Sequence, residues 1–318
     1  MKKNNATMTA PLYVTVIMIL LALSEKLLEV SLDIGDDFFF TAILLELLVY
    51  MLPAAFYCKI RRIDFVKVSG ARLMPLSDVP FVLSVYLLYF FGMLILMYLG
   101  ATPQGASDMN FTLGTVPATD SFFVSLCYVV IPAFAEEMLF RSVLLGEYSS
   151  CRGLWTLVIT SMFFAMLHFS FTAFPSYFWG GLMFGLLTYV TGSTIPSVIL
   201  HMLSNFATLN FSYVISDFLG TADNSVVLIF LMSTLFVLSL YFTVSSLQTI
   251  YENRADRYAD GTLDGSRRDA VKRLAKAGRI EKRTKPDTSE KQNLKDMFLS
   301  PTVLLAIFVF VFIALGSL

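Results

Sequence analysis

The chain has 318 residues, 56% of them hydrophobic, with only 15% charged and a mean hydropathy of +0.71. This is well above the apolar share of an ordinary soluble domain, so a water-soluble globular enzyme is excluded and a polytopic membrane protein is expected. The formal net charge of −1 conceals an asymmetry: 13 of the 23 Lys and Arg residues fall between Glu252 and Asp296.

A bilayer core about 30 Å thick needs roughly 20 apolar helical residues to cross it. The candidate spans, in chain order, are Pro11 to Val30, Phe38 to Cys58, Phe81 to Leu99, Phe122 to Leu145, Leu154 to Phe171, Tyr177 to Thr191, Ile195 to Ile215, Val226 to Ile250 and Met297 to Leu318. The expected fold class is therefore all-α: a polytopic bundle of about nine transmembrane helices around a polar intramembrane cavity. Three regions are expected, namely residues 1–121 as N-terminal helices with a basic interfacial segment, 122–216 as the functional core, and 217–318 as C-terminal helices with a cytoplasmic loop at 251–296. The first apolar stretch lacks a small-residue cleavage site and is expected to remain as an anchor.

Charge sets the orientation. Lys2 and Lys3 precede the first span, Lys59, Arg61, Arg62, Lys67 and Arg72 follow the second, Arg152 follows the fourth, and the large basic loop follows the eighth. The alternate connections carry no Lys or Arg, so the positive-inside rule places the N-terminus in the cytoplasm and, with nine spans, the C-terminus outside. The segment from Lys59 to Ser77 reads as interfacial, and Ser266 to Ala277 as a basic amphipathic helix lying on an anionic leaflet rather than on nucleic acid. Cys58, Cys127 and Cys151 have no C-x-x-C spacing and are read as packing residues. Gly180, Gly181 and Gly185 lie in an apolar span and are read as a close helix contact.

Ionisable residues inside such spans are costly and point to function. Glu136, Glu137 and Arg141 stand in the fourth span, and the only two histidines, His168 and His201, in the fifth and seventh. Glu137 with Arg141, Phe164 with His168, and His201 with Asn205 are each spaced i, i+4, on one helix face. Glu136 and His168 lie equally far in sequence from Arg152 and should come level in the bilayer. His201 joins them only if the turn at Thr191 to Thr194 is drawn into the membrane, where irregular backbone must be buried in protein or line a wet cavity.

The strings Glu136-Glu137-x-x-x-Arg141, Phe164-x-x-x-His168 and His201-x-x-x-Asn205, in that order on successive spans, resemble the three motifs of the CAAX protease and bacteriocin-processing (CPBP, or Abi) family. The resemblance covers roughly Phe122 to Phe211. It implies an intramembrane endopeptidase acting on a membrane-associated or lipidated peptide or protein.

The residues support that chemistry on their own terms. No Ser/His/Asp set has a recognisable spacing, so water is the expected nucleophile. Glu136 is the candidate general base, Glu137 is held by Arg141, His168 orients the water, and His201 with Asn205 polarises the scissile carbonyl. No cofactor is required in this reading. A zinc site from Glu136, His168 and His201 is the open alternative, although no H-E-x-x-H is present. Two other functions remain in view: a proton-coupled transporter using the same cluster as a relay, and a non-catalytic immunity or scaffold protein. The expected setting is multi-pass in a plasma membrane, with bacterial origin favoured by the short loops and lipids as constant partners. A topology reporter fused after Leu318 is expected to read as external; a cytoplasmic signal would overturn the orientation.

Overall fold

The computed structural model describes residues 6–33, 38–62, 71, 73–101, 118–148, 153–221, 225–259, 295 and 297–316. Every candidate span is helical, and no strand occurs among the described residues. The helices are α1 (Ala6–Asp33), α2 (Phe38–Arg61), α3 (Val79–Tyr98), α4 (Ala118–Ser125), α5 (Ile131–Glu137), α6 (Leu145–Glu147), α7 (Gly153–Met166), α8 (Phe174–Thr191), α9 (Ile195–Thr221), α10 (Ser225–Ala259) and α11 (Pro301–Gly316). Lys2, Lys3, Cys151, Arg152, residues 63–70 and 72 of the 59–77 connection, and most of the basic loop beyond Ala259, including Ser266 to Ala277, lie outside the described residues.

Among the described residues, three stretches, Leu76–Tyr98, Ser121–Glu147 and Val226–Asn253, are long and apolar enough to cross a bilayer, whereas Met8–Ser24, Leu154–Met166 and Pro301–Gly316 are shorter apolar helices. The 14 residues of α7 rise about 21 Å, less than a full hydrocarbon thickness. Several predicted boundaries also move. Phe169 takes a positive φ of 46°, which ends α7 before the predicted Phe171, while α8 begins at Phe174, three residues before the predicted Tyr177. Ser300 bonds the backbone of Val303 through its hydroxyl at 3.4 Å, so the last helix starts at Pro301 rather than Met297.

Residues 118–147 form one helical column with two irregularities, the π-helical stretches Leu126–Val130 and Met138–Leu144. Pro132 stands at the start of α5. A proline inside a continuous helix lacks an N–H and crowds the preceding turn, and the wider π turn before it accommodates both defects. The column is central: α5 packs against α2 on one side and α9 on the other, while α1 lies against α2 and α11, α3 against α10, and α7 against α8. At its end, Glu147 receives Arg61 Nη2 at 2.7 Å and the Tyr57 hydroxyl at 3.2 Å. That contact puts the end of α2 and the end of the column at the same end of the bundle.

One close approach sets a wall of the site. A Cβ on Gly181 would lie 3.0 Å from the Ser161 Cα, so α7 and α8 touch there backbone to backbone. On Gly180 the nearest atoms are Phe184 ring carbons at 3.6 Å, an ordinary contact. Gly181→Ala is therefore expected to destabilise the fold by about 1–3 kcal/mol, and Gly180→Ala by less, in thermal unfolding of detergent-purified protein. Equal effects would show that the α7–α8 contact is not tight at Gly181.

Candidate active site

The motif residues gather where α5, its following π stretch, α7, α8 and α9 meet. Glu136 is 7% exposed, Glu137 0%, Arg141 5% and His201 4%, so a set of ionisable groups lies deep in an apolar bundle. Arg141 Nη1 is 2.9 Å from Glu137 Oε1, one turn back along the column. The same oxygen meets His201 Nδ1 at 3.0 Å, from α9. Arg141 Nη2 donates to the Gly181 carbonyl at 3.0 Å. Three aromatic rings enclose the guanidinium, with its carbon 4.7 Å from the Phe164 centroid, 5.3 Å from Phe184 and 5.6 Å from Phe140. Such faces stabilise a desolvated cation without hydrogen bonds.

His201 reaches this depth because the turn before α9 is buried. Ser193 and Thr194 are almost fully covered, and the chain supplies their polar partners. Gly192 closes α8 with φ 66°, a left-handed conformation that glycine adopts without strain. Ser193 N donates to Thr191 Oγ1 at 3.1 Å, Ile195 N to Ser193 Oγ at 3.2 Å, and Thr188 and Ser197 hydroxyls meet at 3.0 Å. The Tyr86 hydroxyl donates to the Pro196 carbonyl at 2.8 Å, tying the turn to α3. Irregular backbone thus sits in the interior with its bonds satisfied, and α9 starts deep enough for His201 to meet Glu137.

His168 stands just past the end of α7 and is half-buried. Its Nδ1 is 3.0 Å from the Phe164 carbonyl. A carbonyl can only accept, so Nδ1 carries the proton and Nε2 is the bare acceptor. His201 follows the same logic toward the Glu137 carboxylate. Its ring stacks on Phe184 at 4.7 Å and 19°, with the edge of Phe164 at 5.6 Å. Phe164 therefore touches Arg141, His168 and His201 at once.

Glu136 is placed differently from Glu137. Its Oε2 is buried and no protein group bonds to it; among the described residues no hydrogen bond joins Glu136 to either histidine. Glu137 Oε2 is likewise buried without a bond, and Arg141 Nη1, though at ion-pair distance, lies off the hydrogen-bonding direction. Asn205 is half-buried one turn beyond His201 on α9. Beside it, Tyr89, Met93, Met97, Ser204 and Thr208 line a largely apolar groove between α3 and α9, with the Tyr89 and Ser204 hydroxyls bonded across its floor.

Two further residues join the site without belonging to any of the three motifs. Glu46 is on α2, one turn before the buried Tyr50 and on the face that continues through Ala54 and Tyr57; it is close enough to Glu136 to interact with it electrostatically. A sequence signal for it exists, because Glu46 is the only acidic or basic residue in the predicted second span. Tyr177 stacks on His168 at 3.6 Å, and no spacing rule marks it. Among the described residues no three His, Cys, Asp or Glu side chains come together as a metal-binding set, and Glu137 rather than Glu136 meets His201.

An all-helical, multi-pass membrane protein with a buried Glu, Arg and His cluster is the class that this architecture defines. Residues 118–207 match the family model described as type II CAAX prenyl endopeptidase, Rce1-like. The match takes in all three motifs and agrees with their resemblance to the CAAX protease and bacteriocin-processing family. No curated protein and no solved structure matches the chain.

Glu137, itself fully buried, balances one cation and one imidazole. Removing one partner of a buried ion pair leaves an uncompensated charge, so Glu137→Gln and Arg141→Met are each expected to destabilise the fold by about 3–5 kcal/mol. The double variant should recover much of that loss. Additive losses in denaturation of the purified protein would show that the two groups do not act as a pair.

Proposed function

We propose that the protein is an intramembrane endopeptidase that hydrolyses a peptide bond of a membrane-associated or lipidated peptide by glutamate-activated water. The observation that carries this reading is the convergence of the three motif segments on one buried cluster, with Glu137 bridging the first to the third and Phe164 of the second packed between them.

In this mechanism Glu136 takes a proton from a water as the water oxygen attacks the scissile carbonyl carbon. His168 accepts a hydrogen bond from the same water at its bare Nε2, fixing the direction of attack. The C–N bond then breaks, and the proton held by Glu136 passes to the leaving amine. The developing oxyanion needs donors. Asn205 supplies an amide N–H directly. With its Nδ1–H on Glu137, His201 can donate from Nε2 only as the imidazolium, whose charge Glu137 faces. The Glu137–Arg141 pair fixes the helix and the orientation of His201 and takes no proton. No step is routed through a metal.

The apolar groove beside Asn205 suits the hydrocarbon part of a lipidated substrate. The proposed setting is a bacterial plasma membrane with the N-terminus cytoplasmic, and membrane lipids and a membrane-embedded substrate as partners.

Protein purified in detergent is expected to cleave a prenylated C-a-a-X peptide. Glu136→Gln and His168→Ala should each lower turnover by about 10²–10⁴-fold with the melting temperature unchanged, and activity should survive exhaustive chelation. Wild-type turnover in both variants would sink the assignment; loss on chelation, restored by zinc, would sink the metal-free mechanism.

A further inference from the structure

His168 sits where the backbone gives it little support. Beyond Met166 the chain leaves helical geometry through turn bonds of 3.3 Å, His168 N to the Ala165 carbonyl and Phe169 N to the Met166 carbonyl, and Phe169 then takes a left-handed conformation. One side-chain bond, Nδ1–H to the Phe164 carbonyl at 3.0 Å, selects the tautomer. A single bond leaves the ring free to swing about its own axis, and a swing would carry Nε2 away from any fixed water.

The second restraint comes from α8. Tyr177 lies 3.6 Å from the His168 ring, with 21° between the planes, and Phe164 covers the imidazole at 5.1 Å and 52°. Tyr177 is itself fixed: its N–H bonds the Ala173 carbonyl at 3.1 Å, and the Ala173 N–H bonds Ser170 Oγ at 3.2 Å. The short 167–173 turn thus sets the spacing between the imidazole and the phenol ring. Of the described aromatic contacts to either histidine, this stack is the tightest.

We propose that Tyr177 is the positioning residue for His168: its ring fixes the plane of the imidazole so that the Nδ1–H tautomer persists and Nε2 is presented in one direction. The ring, rather than the hydroxyl, performs this role. The kinetic part of the proposal rests on the peptidase reading; the structural part does not.

The test uses the economy of two histidines in the chain. Full-length protein labelled with ¹⁵N-histidine and purified in detergent gives two imidazole signal sets, assigned with a His168→Gln variant. Wild type and Tyr177→Phe are expected to show a fixed Nδ1–H tautomer at His168, whereas Tyr177→Leu and the similarly sized, flexible Tyr177→Met should show signals averaged between tautomers. In turnover of the C-a-a-X peptide, Leu and Met should lower kcat by about 10²-fold with KM changed by less than about twofold, and Phe should restore it. A fixed tautomer in the Leu and Met variants overturns the proposal even if no peptide is cleaved. Equal loss in Tyr177→Phe overturns it too, because the hydroxyl would then be responsible. Absence of wild-type cleavage with the expected spectra would overturn the peptidase reading alone.

Discussion

A single carboxylate oxygen, Glu137 Oε1, holds the site together. It receives Arg141 from its own column at 2.9 Å and His201 from α9 at 3.0 Å. Three polar groups in an apolar bundle are tolerable only as a set, because each alone would carry a desolvation cost of several kcal/mol. The pairing therefore constrains everything around it. α9 must start deep in the protein, α7 and α8 must approach closely enough to bring the Gly181 carbonyl under Arg141, and aromatic faces must close the remaining sides of the guanidinium.

The irregular backbone around the site answers those demands. The column of residues 118–147 is apolar enough to be a plain spanning helix, yet π turns flank α5 on both sides. A π turn adds a residue to the circuit and rotates the helix beyond it, so the segments before and after the glutamates face directions that a uniform helix would not offer. The left-handed residues Phe169 and Gly192 act similarly at the ends of α7 and α8. One stops a helix so that His168 stands at its rim; the other turns the chain back within the interior so that His201 starts high on α9. The second π stretch contains Arg141, and Phe169 directly follows His168.

Much of this is legible in the sequence. Spacing alone puts Glu137 and Arg141 on one face, apolar runs locate the helical segments, and the unusual presence of charge in them marks the site. The parts that are not legible depend on tertiary contact. The His201–Glu137 bond joins residues 64 apart, and it exists because a Thr-Gly-Ser-Thr turn satisfies its own polar groups; periodicity carries no such information. Tyr177 has the spacing of an ordinary aromatic at a helix end, since a stacking partner across a turn has no signature in spacing. Glu46 is a different case. The rule that singles out Glu136 applies equally to a glutamate in the second span, but no motif surrounds Glu46 to draw attention to it. Hydropathy reports apolar runs, whereas Phe169 and Ser300 set where the helices formed by two of those runs end or begin.

Two adjacent glutamates with the same side chain meet different fates. Glu137 points to where α9 and Arg141 supply positive or donor groups, and its Oε1 is committed to them. Glu136 is about 100° around the helix, on the side where α2 brings another carboxyl, Glu46. A carboxylate held by an arginine and a histidine is a poor base, because any proton it takes costs both contacts. A buried carboxylate whose oxygen no protein group engages loses nothing of the kind when it accepts a proton from water. In the proposed mechanism, helix geometry and the choice of neighbours separate one residue for holding the bundle from one for handling a proton, within a single dipeptide.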